Sequence, residues 1–144
     1  MYDDILFPTD GSDGADEALA HALELAETHN ATIHVLSVVD STYLGSAAAE
    51  ATTIESLQER TEQVVDETVE NIADHGTAVV AERRMGDPYE EIIDYAGTEG
   101  ADMIIMGTHG RSGLDRFLLG SVAEKVVRTA DVPVLTVRLS DAES

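Results

Sequence analysis

Apolar residues along this chain of 144 alternate between short unbroken runs and longer stretches with helical spacing. Ile5-Leu6-Phe7 is an unbroken run closed by Pro8-Thr9-Asp10-Gly11, which predicts a buried strand stopping at a turn. Ala15, Ala18, Leu19, Ala22, Leu25 and Ala26 then recur at helical spacing behind Asp13, Asp16 and Glu17, acids that suit a helix N-terminus. A second strand is expected over 32–39 and a small, polar loop over 40–51. Ile54, Leu57, Val64, Val65, Val69 and Ile72 form an amphipathic stripe over 52–74 that ends at Gly76. The third strand is expected over 77–82. Gly86-Asp87-Pro88 then signals a helix, with Asp87 as cap and Pro88 at the first helical position. Ile92, Ile93 and Ala96 supply its inner face before Gly100. Met103-Ile104-Ile105-Met106 is a fourth buried run, followed by a loop with glycines at both ends, a helix over about 122–129 and a last strand, Val134-Leu135-Thr136-Val137.

Strands that alternate with helices and are apolar on both faces predict an α/β fold, a parallel sheet covered by helices on both sides. One domain over 1–144 is the expectation from length, with no internal repeat. Ligands on such sheets bind beyond the carboxyl ends of the strands, so the loops 8–14 and 107–121, after the first and fourth strands, are the ones that matter.

Composition narrows the class. Eight basic against 29 acidic residues give a formal charge of -21, but the acids are interleaved with regular Ala, Val, Ile and Leu and do not form a disordered block. The basic residues are seven Arg and Lys125. An acidic surface of this kind suits a high-salt cytoplasm, where salt screens the self-repulsion, and is a poor partner for nucleic acid. The absence of cysteine removes disulfides, thiol nucleophiles and cysteine-ligated zinc. His21, His29, His34 and His75 show no metal-ligand spacing. No run approaches the ~18 apolar residues of a membrane span, so a soluble, cytoplasmic protein is expected.

The candidate chemistry lies in the loop after the fourth strand. Gly107-Thr108-His109-Gly110 leaves that strand, and Gly120-Ser121 opens the next helix after nine intervening residues. Glycines let backbone N–H groups approach an anion, and a helix N-terminus adds partial positive charge. Ser121 can donate to a phosphate oxygen, and Arg111 and Arg116 are local cations, whereas residues 1–82 hold one basic residue, Arg60. Spacing alone fits a phosphate cradle and a pair of ordinary turns equally. No Walker A sequence and no Gly-x-Gly-x-x-Gly fingerprint occurs.

The Gly107-x-x-Gly110, nine-residue, Gly120-Ser121 pattern resembles the signature of the ATP-binding branch of the universal stress protein family. The likeness extends to 5–12, to Gly86-Asp87-Pro88, to 103–110 and to Pro133-Val134-Leu135, nearly the whole chain. The resemblance implies a Rossmann-like three-layer α/β/α domain with a five-stranded parallel sheet in the order 3-2-1-4-5, and a homodimer paired through the last strand, Val134–Val137. It also implies that Pro8, Thr9, Asp10 and Val38 surround adenine and ribose, with Asp10 accepting from a ribose hydroxyl. Met106, Gly107, His109, Gly110, Arg111, Gly120, Ser121 and Val122 would line the ribose and phosphates, with Mg2+ held by the phosphates and water.

The function expected from this resemblance is a nucleotide-binding stress-response regulator that signals to a protein partner. Two other readings stand beside it. A slow ATPase or autophosphorylating protein would use Ser121, Ser112, Thr108 or His109 as phosphoryl acceptor, yet no general base accompanies Arg111 and Arg116. A structural dimer without nucleotide would not need the glycine pattern. A phosphoacceptor receiver domain is excluded, because Asp3 and Asp4 precede the first strand and Arg138 stands where a lysine is needed after the last.

Overall fold

The computed structural model describes residues 2–11, 13–40, 51–108 and 121–138. Strands β1 (Asp4–Pro8), β2 (Thr32–Asp40), β3 (Val79–Gly86), β4 (Met103–Gly107) and β5 (Val134–Val137) alternate with helices α1 (Asp13–His29), α2 (Ala51–Asp74), α3 (Pro88–Thr98) and α4 (Ser121–Thr129). All five strands join one parallel sheet in the order β3-β2-β1-β4-β5. Both the expected fold class and the expected strand order hold.

The unbroken apolar runs are explained by burial on both faces of the sheet. Ile5 and Phe7 of β1 point to one side, with Ile33, Val35, Met103 and Ile105 of the neighbouring strands, against the alanine-rich face of α1 and Ile72 of α2. Leu6 points to the other side, with Leu36, Ile104 and Met106, against Ile92 and Tyr95 of α3 and Ala123 and Val126 of α4. Ala18 and Ala22 are fully buried, so α1 lies close on the sheet with little side-chain bulk between. At roughly 25 cal/mol per Å² of apolar surface removed from water, these two layers are the main favourable term of the fold.

Helix ends follow the local chemistry. The Asp87 side chain caps α3 by accepting from the Tyr89 N–H at 3.2 Å, and Pro88 occupies the first turn. Gly76 (φ 78°) and Gly100 (φ 69°) turn the chain out of α2 and α3 in the left-handed region. Ala101 N–H then closes the end of α3 on the Ala96 carbonyl at 3.0 Å.

One element differs from expectation. The third strand runs over Val79–Gly86 and not over 77–82, because it pairs with β2 from Ile33↔Val79 to Asp40↔Gly86. Backbone pairing draws the polar Glu82-Arg83-Arg84 into the sheet at its edge, where one flank faces solvent. Arg83 is exposed there, while the Arg84 guanidinium bonds Glu82, Asp94 (2.9 Å) and Glu91 (3.3 Å) and lies 5.2 Å from the Tyr95 ring centroid. These carboxylates, Glu82 foremost, hold its pKa above the ordinary value against the opposing effect of burial.

Candidate functional site

Because every strand is parallel, the residues leaving β1, β2 and β4 meet at one end of the sheet. β1 is flanked by β2 on one side and β4 on the other, so the strand order reverses between β1 and β4, the place where ligands bind on sheets of this kind. β1 pairs with β4 at Ile5↔Met103 and Leu6↔Ile104. Pro8 ends β1, where its missing N–H leaves the ladder. Thr9 N–H resumes the bonding by donating to the Leu36 carbonyl at 2.9 Å.

Hydroxyls fix this turn. Thr9 is buried, its Oγ1 accepts from the Gly11 N–H at 3.1 Å, and its carbonyl accepts from the Ser37 hydroxyl at 3.0 Å. Ser37 was not singled out from sequence. The available signal was a hydroxyl between the apolar pairs Val35-Leu36 and Val38-Val39 of β2. Asp10 follows, half-buried, two residues beyond the end of β1. Gly11 has φ 79°, which favours glycine in the turn toward α1.

The far wall is apolar. Val38 of β2 and Val122 of α4 are half-buried and pack against the cluster that contains Met106, on the face covered by α3 and α4. Gly107 ends β4, and Thr108 N–H donates to the Val137 carbonyl at 3.0 Å. Thr108 is 3% exposed. Ser121 is exposed at the first position of α4, whose first-turn N–H groups have no partner within the helix and lie toward the same end of the sheet. Glu124 in the first turn is paired at 3.2 Å with Arg128, which offsets part of its charge.

Of the expected site residues, Pro8, Thr9, Asp10, Val38, Met106, Gly107, Ser121 and Val122 therefore lie at the carboxyl end of the sheet. His109, Gly110, Arg111 and Gly120 lie outside the described residues, as do Ser112 and Arg116. The described donors fit an adenine nucleotide in kind: an apolar wall suits a base, and a helix N-terminus with a serine hydroxyl suits a phosphate. Among the described residues no group of carboxylates or histidines is arranged to hold a metal, and no helix is long and apolar enough to cross a membrane.

Sheet order and helices on both faces define a doubly wound α/β protein whose strand order reverses between β1 and β4. The chain belongs to the Universal stress protein family, whose model matches residues 1–138. It is 38% identical over 141 residues to Universal stress protein MJ0531 of Methanocaldococcus jannaschii, covering 96% of this chain and 83% of that one. The solved structure of MJ0577, from the same organism, superposes with a TM-score of 0.90 at 34% identity over 99% of both chains. The universal stress protein from Archaeoglobus fulgidus in complex with dAMP shares the fold, with a TM-score of 0.72 at 22% identity over 96% of this chain and 98% of that one.

Proposed function

We propose that this chain is an ATP-binding regulatory protein of the cytoplasm, working as a homodimer. The observation that carries the reading is the convergence, at one end of the sheet, of the Pro8–Thr9–Asp10 turn, the apolar wall of Val38, Met106 and Val122, and the Ser121 end of α4. The sequence adds Gly107, Gly110 and Gly120 at the spacing of a phosphate loop between β4 and α4. In this reading adenine lies on the apolar wall, Asp10 accepts from a ribose hydroxyl, and His109, Gly110, Arg111, Gly120 and Ser121 face the phosphates. ATP supplies its own phosphates as Mg2+ ligands. The dAMP bound by the Archaeoglobus fulgidus relative is the same class of ligand on the same fold.

Hydrolysis is not the assigned role. An efficient ATPase positions a water with a general base, and Asp10 belongs at the ribose in this reading, away from the γ-phosphate. β5 forms an edge of the sheet and carries Val134 and Leu135 half-buried, so a second copy adding its own Val134–Val137 there would cover apolar surface and continue the backbone pairing. ATP occupancy then changes the surface offered to a protein partner.

The test is direct. Protein purified in high salt and denatured releases adenine nucleotide, and calorimetry with Mg-ATP on emptied protein gives a saturable isotherm. No nucleotide in the extract together with no heat on titration overturns the reading. A formal charge of -21 adds an expectation of its own: the melting temperature is lower in dilute buffer than in molar salt.

A further inference from the structure

Tyr89 stands in the first turn of α3 on the same face as the proposed base wall. It is half-buried and packs, like Val38 and Val122, against the cluster that holds Leu36 and Met106. Its backbone is pinned by the Asp87 cap. From the neighbouring helix, Lys125 places its Nζ 5.6 Å from the Tyr89 ring centroid, within cation–π range. Lys125 is the chain's single lysine and lies four residues beyond Ser121, on the same side of α4. The helix that opens at the phosphate end of the cleft thus also steadies an aromatic ring at its other end.

The contrast within α3 is informative. Tyr95 is 3% exposed and its hydroxyl bonds His34 Nδ1 at 2.7 Å, as a structural tyrosine does. Tyr89 instead is half-buried and packs against the same cluster as Val38 and Val122. A half-buried aromatic ring with a cation over it is suited to stack on a flat heterocycle. Resting on the ATP reading above, we propose that Tyr89 is the residue against which the purine base stacks, and that Lys125 is a positioning residue that holds the ring.

Calorimetry on the emptied protein separates this from a packing role, with ATP, adenosine and inorganic tripolyphosphate as probes. Tyr89→Leu is expected to weaken ATP and adenosine by about tenfold while tripolyphosphate binds as before, and Tyr89→Phe restores what Tyr89→Leu loses. Lys125→Gln weakens adenosine by about threefold, and Lys125→Arg recovers it. The wild-type chain has no tryptophan, so Tyr89→Trp introduces a single reporter whose fluorescence is quenched when adenosine stacks on it. Equal loss of adenosine and tripolyphosphate in Tyr89→Leu, or ATP bound without quenching in Tyr89→Trp, overturns the stacking role and leaves the ATP reading intact. Absence of nucleotide binding by the wild type overturns the ATP reading itself.

Discussion

The two ends of the sheet use polar residues in opposite ways. At the amino end they are consumed by one another. The Asp102 carboxylate accepts from the Asp3 and Asp4 N–H groups at 2.8 and 2.9 Å, and the Asp102 N–H donates to the Asp4 carbonyl at 2.7 Å. His34, buried, has one ring nitrogen 2.8 Å from Asp4 Oδ1 and the other 2.7 Å from the Tyr95 hydroxyl. At the carboxyl end, buried hydroxyls of Thr9 and Ser37 shape the backbone, near the half-buried Val38 and Val122 and the N-terminus of α4. Among the described residues the amino end is closed by its own hydrogen bonds; under the proposed function the other end receives a ligand. On the proposed function, stability and binding fall to different ends of the same strands, and substitutions at each end should report different things.

The largest expected effect is at the carboxyl end. Gly110→Val and Gly120→Val crowd the backbone where an anion must approach, so nucleotide retention through purification is expected to vanish while circular dichroism keeps its α/β form. Retention in both variants would break the proposed division of labour. Asp102→Ala, at the amino end, removes the acceptor shared by two backbone amides and is expected to cost about 1–2 kcal/mol in urea unfolding, with ATP affinity unchanged. A shift in ATP affinity there would mean the ends are coupled.

Tyr95→Phe carries a smaller effect, about 1 kcal/mol, because it leaves His34 Nδ1 without the phenolic donor. It also has a pH signature. Burial, reinforced by Glu99 and Glu82, pushes the Tyr95 hydroxyl above the ordinary tyrosine value of 10.0. The unfolded chain then ionises at lower pH than the native one, so stability is held below about 10 and lost as pH climbs through the native pKa. Denaturant titrations of wild type and Tyr95→Phe across pH 9 to 11 should show a steeper alkaline loss in the wild type. Parallel curves would mean that Tyr95 ionises as freely in the fold as outside it.

Much of this was legible along the chain because it rests on local chemistry. Ile5-Leu6-Phe7 and Met103-Ile104-Ile105-Met106 are unbroken because both faces of those strands are covered, and Asp87-Pro88 starts a helix by its own side-chain geometry. The glycine spacing of 107–121 was equally plain, although on its own it did not choose between a turn and a phosphate loop. Other features depend on partners distant in sequence. Glu82-Arg83-Arg84 reads as the end of a strand until β2 supplies a ladder through Gly86 and Asp94 and Glu91 supply counter-charges. His34 reads as one more histidine until Asp4 and Tyr95 close on it. Ser37 and Tyr89 acquire a place only when the carboxyl ends of β1, β2 and β4 are brought level and α3 and α4 are laid side by side. Periodicity, caps and glycines act over a few residues and determined the elements. Which polar groups meet, and which face is left to receive a ligand, was decided by tertiary structure, because a hydrogen bond or an apolar wall exists only once residues 30 to 100 positions apart share one end of a sheet.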